Sequence, residues 1–154
     1  METQAKVVIV GGGIMGVALA YHLAEEGETD VLLIEKGELT SGSTWHAAGQ
    51  CPSLVSNYNL AKIHDYGNRL YPTLEEKTGQ YVSWHASGGI RVARQQADLA
   101  WFHYMKGIAD NVGFHMEITS PAKIKEINPF YETDGALAGA WTLPHRHADP
   151  SGPP

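Results

Sequence analysis

Three glycines at positions 11, 13 and 16 have the spacing with which a protein backbone binds a diphosphate. They follow the β-branched run Val7–Val10, open a helical pattern, and precede an acid, Glu35, that lies 19 residues after Gly16. In this GxGxxG pattern Gly11 permits a tight turn, Gly13 lets the backbone approach the pyrophosphate, and Gly16 lets the helix pack closely on the strand. The context of strand, turn, helix and acid predicts a site for the ADP half of a dinucleotide.

Polar groups around this turn extend the predicted site. A helix that begins at Ile14 presents the N–H groups of Ile14 and Met15, with a partial positive charge, to the phosphates. The second strand ends in Glu35, followed by Lys36, and places the Glu35 carboxylate where the ribose of the ADP half would bind. The negative charge of the carboxylate repels a 2′-phosphate, so an NADP site is not expected. The hydroxyl groups of Ser43 and Thr44 either donate to the pyrophosphate or simply form the turn, and the sequence leaves both readings open.

The composition is that of a small acidic chain. Its 154 residues give room for one domain with a small core. With 11 basic and 17 acidic residues the net charge is −6, and the scattered Lys and Arg residues predict no nucleic-acid partner. The longest apolar-rich run, residues 7–20, contains four glycines and is shorter than the roughly 18 residues of a membrane span. A single cysteine and the lack of a basic leader favour a cytoplasmic protein.

Hydrophobic periodicity predicts the elements that position these groups. Helices are expected over 14–26, about 59–77, 95–112 and a short segment from Ser120-Pro121 to before Pro129. Strands are expected over 7–10, 30–36, 81–85, 89–93, 114–119 and 135–143, with 81–85 and 89–93 joined across Gly88-Gly89. We expect Pro72 to kink or split the second helix. The side chains expected to face inward there are Leu60, Ile63, Leu70 and Leu74.

The order of elements is typical of an α/β domain followed by a mixed α+β region. A βαβ sheet needs at least one more parallel neighbour to bury both faces, and the residues after Lys36 supply little. We therefore expect the chain to be the front part of something longer.

The loop after the second strand carries a more specific pattern. Residues 39–49, LTSGSTWHAAG, resemble a segment of the dimethylglycine and sarcosine dehydrogenase group, which are flavoenzymes of the D-amino-acid-oxidase-like superfamily. The resemblance continues through TGQYVSWH at 78–85, GGIRVA at 88–93, INP at 127–129 and HADP at 147–150. It therefore covers essentially the whole chain.

The resemblance implies a cofactor and a reaction. The cofactor is FAD, held at its pyrophosphate by the glycine turn and joined covalently from its 8α-methyl carbon to His46, whose neutral imidazole is a competent nucleophile. The reaction is oxidation of the C–N bond of an N-methylated amino acid, such as dimethylglycine or sarcosine, by hydride transfer to the flavin. The implied partners are a small-molecule amine and, in the full-length enzyme, an electron-transfer flavoprotein or folate.

The resemblance also implies a division of the chain. A Rossmann-like FAD- or NAD(P)-binding region of the glutathione-reductase/DAO type covers 1–80, the start of an α+β substrate-binding region covers 81–144, and an irregular truncated tail covers 145–154. Enzymes of this group run to several hundred residues, so the chain corresponds to an N-terminal portion that is expected to be too short for catalysis by itself.

Two other functions stay open from the sequence. One is a nucleotide-binding fragment that cannot assemble a substrate site, and the other is an NAD-dependent dehydrogenase, which would need a third parallel strand soon after Lys36. A metal site at His145, His147 and Asp149 is not expected, because no further ligand of matching design accompanies them.

Overall fold

The glycine-rich turn lies between the first strand and the first helix of the computed structural model, which describes residues 4–143 and 146–148. By its internal contacts the chain divides into two units, Met1–Ala48 and Gly49–Pro154. The predicted functional regions, 1–80 and 81–144, are a division of another kind and stay predictions. Among the described residues, no helix combines the length and the apolar character that crossing a membrane requires.

The first unit is a β–α–β arrangement with a parallel strand pair. Strand β1 (Val7–Val10) is followed by helix α1 (Ile14–Glu25) and strand β2 (Val31–Ile34). The strands pair in parallel from Val7↔Val31 to Val10↔Ile34. Branched side chains favour the strands, and Gly27, at φ 86°, follows the end of the helix. The predicted α/β front half is confirmed.

The faces of this small sheet are incompletely covered within the described residues. Ile9 is buried, whereas Val10 is 84% exposed and Val8, Ile14 and Ile34 are each about half exposed. A parallel sheet normally carries cover on both faces, so two strands and one helix do not complete this layer. The sequence-based expectation of a missing parallel neighbour agrees with this exposure.

The second unit places helices beside antiparallel sheets. In chain order its elements are β3 (Gln50–Cys51), α2 (Tyr58–Thr78), β4 (Trp84–His85), β5 (Gly89–Ala93), α3 (Gln96–Val112), β6 (His115–Thr119), α4 (Pro121–Ile127), β7 (Ala138–Leu143) and β8 (Arg146–Ala148). One sheet has the order β5-β7-β6 and the other β3-β8-β4, and every pairing in them is antiparallel. The predicted α+β rear half is thus confirmed. Strand β8 lies in the segment predicted as an irregular tail, most of which is outside the described residues.

The core of the second unit is built on α3, as its periodicity predicts. Phe102, Met105 and Ala109 are buried at helical spacing, with Leu99 and Val112 packed beside them. A capping box between Gln95 and Asp98 begins the helix, and Gly113 in the left-handed conformation ends it. This core comes from side chains of α3 and of the strands around it.

The predictions about α2 hold only in part. Of the four side chains expected to face inward, Leu70 and Leu74 are half-buried, whereas Leu60 and Ile63 are 50% and 65% exposed and the fully buried residues are Ala61 and Asn68. Pro72 lies inside one continuous helix, so it does not split α2, and the expected kink stays a prediction.

The segments 81–85 and 89–93 do not pair with each other. Strand β4 pairs with β8, while β5 pairs with β7. Partners distant in sequence therefore replace the expected hairpin.

Candidate cofactor-binding site

The turn after β1 needs glycine at two of the predicted positions for steric reasons. Gly11 has φ 109°, a left-handed value that side chains disfavour, and its N–H donates to the Ile34 carbonyl at 2.8 Å. A Cβ atom at Gly16 would lie 1.9 Å from the Gly11 carbonyl oxygen. The helix therefore touches the turn backbone to backbone, as the GxGxxG pattern predicts.

Gly12, which fills a variable position of that pattern, is a residue that the sequence reasoning missed. Its N–H donates to Glu35 Oε2 at 2.7 Å. A Cβ atom there would lie 2.5 Å from Leu39 Cδ2 and 3.1 Å from Glu35 Cβ. The only sequence signal for a role of Gly12 is that it stands in a row of three glycines. Its contacts are with Leu39 and Glu35, which are distant in sequence.

Glu35 is held at the end of β2 by backbone amides. One carboxylate oxygen accepts from Gly12 and the other from Gly37 N–H at 2.9 Å. The hydrogen bond from Gly12 and then that from Gly37 lower the pKa of Glu35 below its ordinary value of 4.5. An ionised carboxylate keeps further lone pairs, so Glu35 can still accept hydrogen bonds from a ribose diol.

The start of α1 leaves amides open to an anion. Gly13 is the N-cap residue and has no side chain with which to cap the helix. The Ile14 N–H donates to Thr44 Oγ1 at 2.9 Å, while the N–H groups of Gly13, Met15 and Gly16 have no acceptor in the part of the chain that the structure describes. Unpaired amides and the helix dipole form a ready site for a phosphate.

The loop over 37–48 is attached to this turn. Thr40 N–H donates to the Gly12 carbonyl at 2.9 Å, and the Thr40 carbonyl accepts from Trp45 N–H at 3.0 Å. Thr40 itself has φ 64°, an uncommon value for a residue with a branched side chain. The loop is thereby held as a compact turn.

His46 lies near the end of this loop with one ring nitrogen engaged. Its Nδ1 is 2.9 Å from the Gly42 carbonyl oxygen. Because a carbonyl can only accept, Nδ1 carries the proton in the neutral ring and Nε2 carries the lone pair. The ring is exposed, and Trp45 meets it edge to face with centroids 6.3 Å apart. The geometry therefore leaves Nε2 as the ring atom that carries the lone pair.

Three of the predicted site residues, Lys36, Ser43 and His46, make no described hydrogen bond to the turn. Ser43 and Lys36 are exposed, and neither forms a side-chain hydrogen bond among the described residues. By contrast, the turn brings together Gly11, Gly13, Ile14, Met15, Gly16, Glu35 and Thr44. Their assignment as cofactor-binding residues stays a prediction.

A metal site has no support in the described part of the chain. No group of three or more His, Cys, Asp or Glu residues there could hold a metal ion. The side chains of His145, His147 and Asp149 lie outside the described residues.

Comparison with known proteins connects this geometry to a family. The family described as "DAO: FAD dependent oxidoreductase" matches residues 6–152. The chain is 44% identical over 149 residues to dimethylglycine dehydrogenase of Rattus norvegicus, covering 97% of this chain and 17% of that protein. It is 34% identical over 157 residues to sarcosine dehydrogenase of Homo sapiens, covering 99% of this chain and 17% of that protein.

A solved structure agrees with the fold. L-Proline dehydrogenase from P. horikoshii superposes with a TM-score of 0.88 at 25% sequence identity, over 97% of this chain and 39% of that one. The chain thus spans about a sixth of the length of the two dehydrogenases that it resembles in sequence.

Proposed function

Because the chain belongs to the DAO family of FAD-dependent oxidoreductases, we propose that its first unit binds the ADP portion of FAD. The observation that carries this proposal is the start of α1, where three N–H groups are open beside a turn that only glycine can form. Glu35, ionised and fixed by two amides, stands where the ribose diol would be recognised. The family's use of FAD removes the support for an NAD-dependent dehydrogenase.

The proposed reaction is oxidation of the C–N bond of an N-methylated amino acid, with FAD accepting a hydride. The names of the two similar dehydrogenases support dimethylglycine and sarcosine as the substrate class. Flavin supplies the redox chemistry, and this chain supplies the position and the electrostatics of the ADP portion. The second candidate is a nucleotide-binding fragment without catalysis, which the coverage of 17% of each dehydrogenase favours.

We also propose that His46 joins the flavin covalently through Nε2. The contact of Nδ1 with Gly42 supports this choice of atom, since it leaves the Nε2 lone pair free in an exposed ring. His46 would hold the flavin through Nε2, while Gly42 keeps the imidazole oriented by accepting the Nδ1 proton. When bound, the flavin would supply the redox chemistry.

The electron acceptor and the compartment are further proposals. In the full-length enzyme we propose an electron-transfer flavoprotein or folate as partner, together with a small amine substrate. We retain a cytoplasmic location, which the single cysteine favours, whereas the similar mammalian dehydrogenases are named as mitochondrial. Fractionation of the source cells distinguishes the two locations.

FAD binding can be tested on the purified chain. The chain is loaded with FAD, passed through gel filtration, and its flavin is measured before and after acid precipitation. We expect about one flavin per chain, with an acid-stable part that His46→Ala removes. Acid-stable flavin in His46→Ala would mean that another residue forms the bond, and a colourless wild-type chain would refute FAD binding.

The phosphate position is tested with a matched pair of glycine variants. Gly13→Leu should abolish flavin retention, because a Cβ atom there already lies 3.1 Å from Thr44 Oγ1 and a longer side chain covers the open amides. Gly107→Leu, in α3, should retain flavin, since a Cβ atom there meets nothing within 4 Å. Wild-type flavin content in Gly13→Leu would refute the placement of the pyrophosphate.

The two candidate functions differ when substrate is added. Anaerobic addition of dimethylglycine or sarcosine to the FAD-loaded chain should bleach the visible flavin absorbance if the chain oxidises amines. Flavin that remains bound and oxidised at high substrate concentration would favour the non-catalytic fragment.

A further inference from the structure

The Thr44 hydroxyl occupies a backbone donor that a phosphate would otherwise bind. Ile14 is the first residue of α1, and its N–H is one of the donors that a helix start leaves without an intrahelical partner. Thr44 Oγ1 accepts this N–H at 2.9 Å, across 30 positions of sequence. The N-cap residue Gly13 has no side chain that could accept an amide of the first turn. The Thr44 hydroxyl, from the neighbouring loop, accepts one instead.

Within the described residues this contact is one of two hydrogen bonds between the turn and the loop that carries His46. The other is the bond from Thr40 N–H to the Gly12 carbonyl at 2.9 Å. The two hydrogen bonds reach Gly12 and Ile14, the residues on either side of Gly13. Within the loop, a further hydrogen bond from Trp45 N–H to the Thr40 carbonyl closes the segment between them. The loop is therefore fixed at two points rather than hinged at one.

His46 lies directly beyond the hydrogen bond that Thr44 accepts. It stands two residues after Thr44, within a turn that the bond from Ala47 N–H to the Thr44 carbonyl closes at 3.1 Å. Because consecutive Cα atoms are about 3.8 Å apart, little slack separates the imidazole from the anchored hydroxyl. Displacement of Thr44 would displace His46 with it.

We propose that Thr44 is a positioning residue that sets the placement of His46 relative to the phosphate-binding turn. The inference rests on the proposed attachment of flavin to His46. Its consequence is a separation of roles in which the open amides of α1 determine how tightly the ADP portion binds. Thr44 determines how fast the bound flavin becomes covalently attached.

The test compares Thr44→Val, which keeps the shape and removes the hydroxyl, with Thr44→Ser, which keeps the hydroxyl. The rate of formation of acid-stable flavin is measured at saturating FAD, and the dissociation constant of ADP is measured by calorimetry. We expect Thr44→Val to slow attachment about fivefold, which is the factor that one net hydrogen bond of about 1 kcal/mol gives, and to leave ADP affinity within about threefold. Thr44→Ser should restore the wild-type rate.

A matched control is Thr73→Val, which removes a hydroxyl that donates to the Leu70 carbonyl at 2.7 Å in α2. It should attach flavin at the wild-type rate. Wild-type attachment in Thr44→Val would overturn the role of Thr44 while leaving His46 as the attachment site. A wild-type chain without acid-stable flavin would overturn both.

A second measurement does not depend on the folding of the valine variant. Amide hydrogen exchange of the wild-type chain should show Ile14 N–H protected both without ligand and with FAD bound, because Thr44 retains it. Protection of Ile14 that appears only with FAD would mean that a phosphate, not Thr44, holds this amide, and would overturn the inference.

Discussion

Substitution of Gly16 by alanine tests the steric basis of the glycine-rich turn that is proposed to bind the phosphates. A Cβ atom at this position would lie 1.9 Å from the Gly11 carbonyl oxygen, over 1 Å inside the 3.0 Å below which Cβ contacts essentially never occur. It would also lie 3.1 Å from the Gly11 carbonyl carbon and 3.3 Å from Ile9 Cγ2. The closest neighbours are backbone atoms, so no side-chain rotation relieves the contact, and α1 must move away from the turn.

The magnitude follows from two opposing effects. Overpacking costs about 1–3 kcal/mol, and the upper end applies here because backbone must shift. Alanine in a helix recovers up to about 1 kcal/mol relative to glycine. The net loss is therefore about 2 kcal/mol in the free energy of unfolding of the first unit, a factor of roughly 30 in its folding equilibrium. FAD affinity should fall with it, since the displaced helix carries the open amides.

The assay needs to resolve the first unit from the second. Urea unfolding followed by circular dichroism gives the stability, and hydrogen exchange of peptides from residues 1–48 locates the change. Gly107→Ala is the matched control, because a Cβ atom there meets nothing within 4 Å and the change should stabilise α3 by up to about 1 kcal/mol. A Gly16→Ala chain as stable as wild type and with unchanged FAD affinity would refute the described contact.

Three further predictions follow from burial, capping and ionisation. Met105→Ala should lower the free energy of unfolding by about 2–5 kcal/mol because Met105 is fully buried. Met15→Ala, at a residue that is 82% exposed, should change it by less than about 0.5 kcal/mol. Denaturant unfolding measures both changes, and equal effects would contradict the assignment of Met105 to the core. Asn57→Ala should cost about 0.5–2 kcal/mol, since Asn57 Oδ1 caps α2 by accepting two amides, and an unchanged unfolding midpoint would contradict the cap. The pKa of Glu35 is lowered by backbone amides, so its stabilisation is complete above pH 4.5 and is lost as the pH falls through the lower folded pKa. Stability curves of wild type and Glu35→Gln should therefore converge in acid, and curves that remain parallel would contradict this assignment.

The front of the chain is readable from its sequence because each step is local. A branched run makes β1, Gly11 adopts a conformation that other residues disfavour, and α1 begins within the same few residues. The predicted helix over 14–26 agrees with the observed Ile14–Glu25 to one residue. What the pattern could not give is the role of Gly12, because its partner atoms come from Leu39 and Glu35.

The second unit shows where periodicity is insufficient. In the first half of α2 the residues expected to face inward, Leu60 and Ile63, are exposed, while Ala61 and Asn68 are buried. Asn68 is acceptable there because its Nδ2 donates to Ser53 Oγ at 2.9 Å, a partner on the preceding segment. Apolar periodicity identifies one stripe, and the neighbouring elements decide which residues of the helix are buried.

The amides of this turn divide into two groups, and under the proposed function this division accounts for the expected preference for FAD over a 2′-phosphorylated dinucleotide. The protein itself uses the N–H groups of Gly12, for Glu35, and of Ile14, for Thr44. Those of Gly13, Met15 and Gly16 have no acceptor among the described residues and stay open to an external anion. A dinucleotide whose ribose carries a free diol satisfies both the open amides and the carboxylate, whereas a 2′-phosphate would meet an ionised Glu35 whose lowered pKa keeps it charged at neutral pH. In the proposed site the carboxylate that orients the turn also disfavours a phosphorylated ribose, so changing Glu35 should alter both the geometry of the turn and the choice of ligand.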